Sequence, residues 1–184
     1  MKQSFKVRDK AEAQVDARPQ LKDGMHFMGF FVAECYSPDG GLKWRETGKN
    51  LVVNEGLNHA LDVIFHGSSQ VSPWYTGVKT ASGGITATDV LSAHGGWTEF
   101  TDYSGNRKEY VESAASGQSI DNTGSPASFS ITGSGTVAGA FLCSVASGSA
   151  GVLFCCADFA TTRTVDSGDT VNVSYTLTSA DDGV

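Results

Sequence analysis

The apolar positions of this chain change period once and then change back. From Met25 to Tyr36 they crowd into a strand-length run holding Phe27, Phe30, Phe31, Val32 and Tyr36, closed by Ser37-Pro38-Asp39-Gly40-Gly41. Pro presets φ and Gly supplies φ > 0, so this is a tight turn, and Leu42–Thr47 is read as the return strand of a hairpin. Between Asn54 and His66 the period becomes helical. Leu57, Ala60, Leu61, Ile64 and Phe65 fall at i, i+3, i+4, i+7 and i+8, which predicts one apolar face packed on the rest of the protein. Asn54 suits the N-cap, Glu55 the dipole of the first turn, and Gly67 the residue past the C-cap. Gly56 costs little in the first turn.

Beyond Gly67 the pattern returns to strand spacing. Trp74–Lys79, Arg107–Ala114, Ser128–Thr132, Thr136–Val145, Val152–Phe159 and Thr170–Thr178 are strand candidates, separated by Gly/Ser turns. Trp97–Tyr103 is read as a strand or an ordered loop, and Ala87–Leu91 as a helical turn. In the last strand Val171, Val173, Tyr175 and Leu177 alternate strictly, so one face is buried. About eight short strands and one helix predict a mainly β fold, an antiparallel β-sandwich of jelly-roll type. No repeat of fixed period argues for a solenoid or propeller.

Residues 1–24 do not share either period. Lys and Asp/Glu alternate with Ala and Gln, Pro19 interrupts, and the sizeable apolar residues are Phe5, Val7, Val15 and Leu21. This stretch reads as an extended N-terminal arm that orders on a partner, and residues 25–184 as the body. The candidate contact residues are Phe5, Lys6, Val7, Arg8, Lys10, Val15, Arg18, Leu21 and Lys22: a few apolar anchors with cations to meet a complementary surface.

Charge sharpens the division. Residues 1–50 hold nine Lys/Arg against seven Asp/Glu, and residues 51–184 hold four against thirteen, for −7 over the 184-residue chain. An acidic body lacks the clustered Lys/Arg that phosphate binding needs, so no nucleic-acid partner is expected. The Met1-Lys2-Gln3-Ser4-Phe5 start has no apolar run after its charges, and no segment has the apolar length of a bilayer span, so no membrane partner is expected and synthesis in a reducing cytoplasm is. Cys35, Cys143, Cys155 and Cys156 fit buried free thiols there, and Cys155 and Cys156, being adjacent, should face opposite ways.

Candidate chemistry is sparse. His26, His59, His66 and His94 are scattered, and His59 and His66 lie seven apart on the predicted helix, too far to share a metal comfortably. No HExxH, GxSxG or P-loop pattern occurs. No catalytic residue, metal ligand or cofactor is therefore expected. Glu99, Asp102, Glu109 and Glu112 flank Trp97, Phe100, Tyr103 and Tyr110, a mixture that suits a carbohydrate-binding or carbohydrate-cleaving module and equally an ordinary strand edge. Asp166, Asp169, Asp181 and Asp182 lack EF-hand spacing and read as turn chemistry.

Several segments taken in order carry a resemblance. They are Trp44, then Asn50-Leu51-Val52-Val53-Asn54-Glu55-Gly56-Leu57-Asn58-His59-Ala60-Leu61-Asp62-Val63; Trp74-Tyr75-Thr76-Gly77-Val78; Trp97-Thr98-Glu99-Phe100 with Tyr103-Ser104 and Arg107; Thr136-Val137-Ala138-Gly139-Ala140-Phe141-Leu142; and Ser167-Gly168-Asp169-Thr170-Val171-Asn172-Val173-Ser174-Tyr175-Thr176. Each alone is a strand, a cap or a turn. Their joint order, over most of residues 44–178, resembles small virion proteins of tailed bacteriophages. The resemblance implies a non-enzymatic structural component of the virion: a capsid decoration or cement protein that bridges and stabilises the major capsid protein. The alternative it implies is a tail, neck or fibre-adaptor protein on the same fold. Uncovered strand edges further lead us to expect a homo-oligomer.

Overall fold

The structure, a computed structural model, describes residues 26–180. The arm residues singled out above lie outside the described residues. The described residues are mainly β: nine strands and one helix, with the strands joined antiparallel. They run β1 (His26–Tyr36), β2 (Leu42–Val52), β3 (Tyr75–Lys79), β4 (Lys108–Glu109), β5 (Ser119–Asp121), β6 (Ala127–Ser130), β7 (Gly135–Cys143), β8 (Leu153–Val165) and β9 (Thr170–Ala180). The helix, α1, spans Asn54–Phe65 between β2 and β3.

The sheet order is β4-β3-β7-β8-β2-β1-β9-β5, with β6 also paired to β9. The strands form one curled sheet, closer to a half-barrel than to two clearly separate facing sheets. The long strand β2 is the join. It pairs with β1 over its N-terminal part and with β8 through Asn50–Val52. The main core lies inside the curl, where Phe31, Ala33 and Cys35 of β1 meet Val171, Val173 and Tyr175 of β9, Val78 of β3 and Leu142 of β7. The rings of Phe31 and Tyr175 stack at 4.2 Å between centroids. The period-two alternation in β9 is the cause: Val171, Val173 and Tyr175 are buried and their neighbours are only half-buried.

Several boundaries differ from the sequence pattern. The Arg107–Ala114 candidate shrinks to the two residues of β4, because the chain there is held by side-chain and loop bonds instead of a ladder. Trp97–Tyr103 is an ordered loop with isolated bridges at Glu99 and Tyr103. Ala87–Leu91 is a turn, closed by mutual backbone bonds between Val90 and Ala93. β5, in a Ser/Asn/Gly-rich stretch without hydrophobic alternation, had no sequence signal.

The helix holds the largest correction. Its ends are as expected past the C-terminus, where Gly67 takes φ +75° and the His66 and Ser68 N–H groups return to the Asp62 carbonyl. At the N-terminus Val53, not Asn54, is the cap, and no side chain caps it. The Asn54 N–H instead donates to the Ala87 carbonyl at 2.8 Å. Glu55 accepts from the Leu153 N–H at 2.7 Å, so it ties the helix to β8. Leu57, Leu61 and Phe65 do not pack on the body and Ile64 only edges a cleft against it; all four are exposed. The helix docks through its narrow side. Gly56 is the only fully buried helical residue, and a Cβ there would collide with the Phe154 backbone. A helix that approaches a strand this closely must do so on a side without bulk, which turns the larger residues outward.

Candidate functional site

The side chains that suggested chemistry fall into three groups. The first is the aromatic and carboxylate set. Trp97, Phe100, Tyr103 and Tyr110 are all buried, so none offers an open ring face to a sugar. Both Glu99 oxygens are taken by Arg107, with Nε donating at 2.9 Å and Nη2 at 2.7 Å. The same guanidinium donates through Nη1 to the carbonyls of Val145 and Gly148. Arg107 therefore cross-links two loops beside a cleft of about 260 Å³. A carboxylate held in this two-pronged manner, with the Tyr103 hydroxyl also donating to it at 3.4 Å, is engaged within the protein.

The second group lies on the outer face of β3, β7 and β8. Lys79, Gly139 and Asp158 form one cross-strand row, since Lys79 pairs with Gly139 and Gly139 with Asp158. Gly139 has no side chain, and the lysine stem runs across it; a Cβ at Gly139 would meet the Lys79 Cε. The Lys79 side chain is fully buried, and its ammonium donates to Asp158 at 2.5 Å. Asp158 also accepts the Gly83 N–H at 2.8 Å, and the ammonium lies 5.4 Å from the centre of the Trp97 ring. Trp97 is itself fixed, with Nε1–H donating to Asp89 at 3.1 Å and His94 stacked on it at 3.7 Å. Beneath it sit Phe141, Cys143, Leu153, Cys156, Val53 and Leu91, a second apolar cluster outside the curl. The loop between β3 and β4 thus seals the outer face of the sheet. Sequence reasoning missed the Lys79–Asp158 row; the available signal was a glycine inside the β7 pattern, which marks a close approach across a strand.

The cysteines belong to both clusters. Cys155 lies in the inner core and Cys156 in the outer cluster, so the adjacent pair does face opposite ways. Because the sheet is covered on both sides here, both are buried. Burial pushes the thiols of Cys35, Cys155 and Cys156 up to about 12, and raises Cys143 as well. At neutral pH they are protonated and poor nucleophiles. Among the described residues no three His, Cys, Asp or Glu side chains come together as a metal site. His59 packs edge-on to Trp74 at 5.5 Å. Asp169 is buried; burial raises its pKa, but the Lys43 ammonium at 2.6 Å and the Asp166 N–H outweigh that and hold the carboxyl below its ordinary value. It fixes the turn into β9, and no metal is implied.

The third group is α1 and its surroundings. An apolar cleft of about 220 Å³ runs between the helix and the sheet, lined by Phe27, Ala60, Val63, Ile64, Trp74, Phe154 and Leu177. A neighbouring cleft of about 150 Å³ shares Trp74, Phe154 and Leu177 and continues to Ile120 at the β5 edge. Its walls are set by Trp74 and Phe27, each edge-on to Phe154. The outward face of α1 borders this region. No helix among the described residues is long and apolar enough to cross a membrane.

No protein-family model matches the chain, and comparison with curated proteins finds no relative. The geometry therefore stands on its own. Charged side chains that are buried are engaged in holding strands and loops together, and α1 carries four exposed large apolar side chains, with Met28, Phe30, Leu42 and Leu51 exposed on β1 and β2. Such an arrangement is suited to contact with another macromolecule.

Proposed function

We propose that this chain is a non-enzymatic structural protein of a bacteriophage virion, a capsid decoration or cement protein that bridges and stabilises neighbouring major capsid subunits. The observation that carries the reading is the ordered series of motifs from Trp44 to Thr176. The structure adds support by assigning those motifs scaffold work. Val53 and Gly56 dock the helix, Trp97 seals the outer sheet, Glu99 and Arg107 lock two loops, and Asp169 fixes a turn. We take the curled sheet, closed on one core, as a member of the jelly-roll-type bodies expected of such proteins. The arm, with Phe5, Val7, Val15 and Leu21 as apolar anchors among Lys6, Arg8, Lys10, Arg18 and Lys22, reaches the neighbouring subunit.

The mechanism is mechanical. A decorator that binds only the assembled shell stabilises that state by mass action, as the logarithm of one plus its free concentration over its dissociation constant. Mass-spectrometric stoichiometry of purified particles tests the reading. Hundreds of copies per particle are expected. A dozen or fewer would assign the protein to the tail or neck, and absence from the particle would overturn the proposal. Deleting residues 1–24 should leave the body folded by circular dichroism and sharply weaken co-sedimentation with particles.

A further inference from the structure

α1 is apolar on two sides. Gly56, Ala60 and Val63 face the body and Ile64 stands at the rim of the cleft against it, 55 % exposed, while Leu57, Leu61 and Phe65 point away with 37, 51 and 79 % of their surface exposed. Its remaining side is polar, with Asn54, Glu55, Asn58, His59 and Asp62. Its two charged residues are Glu55, engaged with the Leu153 N–H, and Asp62. No Lys or Arg lies on it to mark the outer side as solvent-facing.

We propose that this outer face of α1 is the contact between two copies of the chain. Leu57, Leu61 and Phe65 form a single i, i+4, i+8 row. A two-fold axis passing at Leu61 sets Leu61 against itself, and Leu57 of each copy against Phe65 of the other. Rows of this type interdigitate when helices cross at about −50°. A two-fold contact is self-complementary by construction, and here it sets the smaller flank, Leu57, against the larger, Phe65, on both sides of Leu61. The two-fold also runs the helices against each other, which opposes their dipoles favourably.

The area is adequate. Taking roughly 180 Å² for a fully exposed side chain of this class, the four residues expose roughly 400 Å² of apolar surface per copy. Interfaces are about 60 % apolar, so a contact centred on them buries roughly 700 Å² per copy, close to the roughly 800 Å² of a standard stable interface. This proposal stands whether or not the protein decorates a capsid, because it concerns the isolated chain.

Sedimentation of the full chain at tens of micromolar is the test. A species near twice the 19.3 kDa chain mass is expected. Leu61→Lys should weaken self-association by at least ~30-fold, as loss of a central contact does, and sediment as a single chain. Cysteine pairing checks the geometry without relying on that variant's folding. The four native thiols are buried, so an introduced surface cysteine is the reactive one. Under mild oxidation Leu61→Cys should form a linked dimer, whereas Leu57→Cys should do so efficiently only when mixed with Phe65→Cys. A wild-type monomer would overturn the proposal and point to the chain's own residues 1–25 as the cover. A dimer that survives Leu61→Lys, or equal linking of Leu57→Cys alone and Leu61→Cys, would place the contact elsewhere and overturn it as well.

Discussion

Among the apolar surfaces outside the main core, two are treated differently by the chain. The outer face of β7 and β8, with Phe141, Cys143, Leu153 and Cys156, is covered by the chain itself: the loop between β3 and β4 lays Trp97 over it and fastens the ring to Asp89 and His94. The outer face of α1, with Leu57, Leu61, Ile64 and Phe65, has no such cover among the described residues. Both surfaces spring from the same place, since Val53 belongs to the outer cluster and also begins the helix. The part of the β3–β4 loop that carries Ile85, Leu91 and Trp97 seals one surface, while the other is left to something else. The difference separates stability from association. Substitutions under Trp97 should unfold the protein, and substitutions on the outside of α1 should leave it folded and alone.

Trp97→Ala should have the largest effect. It removes the cover of the outer cluster, its bond to Asp89 and its contact with the Lys79 ammonium. A loss of about 3–5 kcal/mol is expected, or roughly 10 °C in thermal midpoint for a chain of this size. A shift of only a degree or two would mean that the loop is decoration and the outer face is stable without it.

Asp158→Ala comes next. It strands a fully buried lysine, which costs about 3 kcal/mol or more, whereas Lys79→Met keeps the stem and leaves a carboxylate that still reaches solvent and the Gly83 N–H, so it should cost clearly less. The contrast between the two, read by denaturant unfolding, identifies the pair as a strand clamp. Equal destabilisation by both would show that the ion pair itself contributes the stability.

Gly56→Ala sharpens the helix side of the comparison because its sign is diagnostic. In an open helix the change stabilises by about 1 kcal/mol. Here the new methyl meets the Phe154 backbone, so destabilisation by about 1–3 kcal/mol is expected. Stabilisation would mean that the helix does not sit on β8 as described. The smallest effect belongs to Leu61→Ser, which at dilute concentration should change unfolding free energy by less than about 0.5 kcal/mol.

The sequence pattern reached the strands with strict alternation, the β1–β2 hairpin and the extent of α1, because those features are local. Val171, Val173 and Tyr175 announce their burial by period alone. It failed where long-range geometry decides. The helical period correctly found an apolar stripe on α1, but nothing in the period says which side meets the body. Gly56, read as tolerable, proved to be the residue that chooses the docking side. The aromatic and carboxylate cluster looked open to ligand because sequence does not show that Arg107 engages both Glu99 oxygens. The Lys79–Asp158 row joins residues 79 positions apart through a glycine, a relation that only the strand order creates.

The separation of stability from association is tested most directly by following thermal midpoint against protein concentration for wild type and Leu61→Lys. If α1 is covered by a second copy, the wild-type midpoint rises with concentration, because association stabilises the folded chain by mass action. The Leu61→Lys midpoint should stay flat and meet the wild-type value at high dilution. A wild-type midpoint independent of concentration, or a Leu61→Lys midpoint well below wild type even when dilute, would contradict the account.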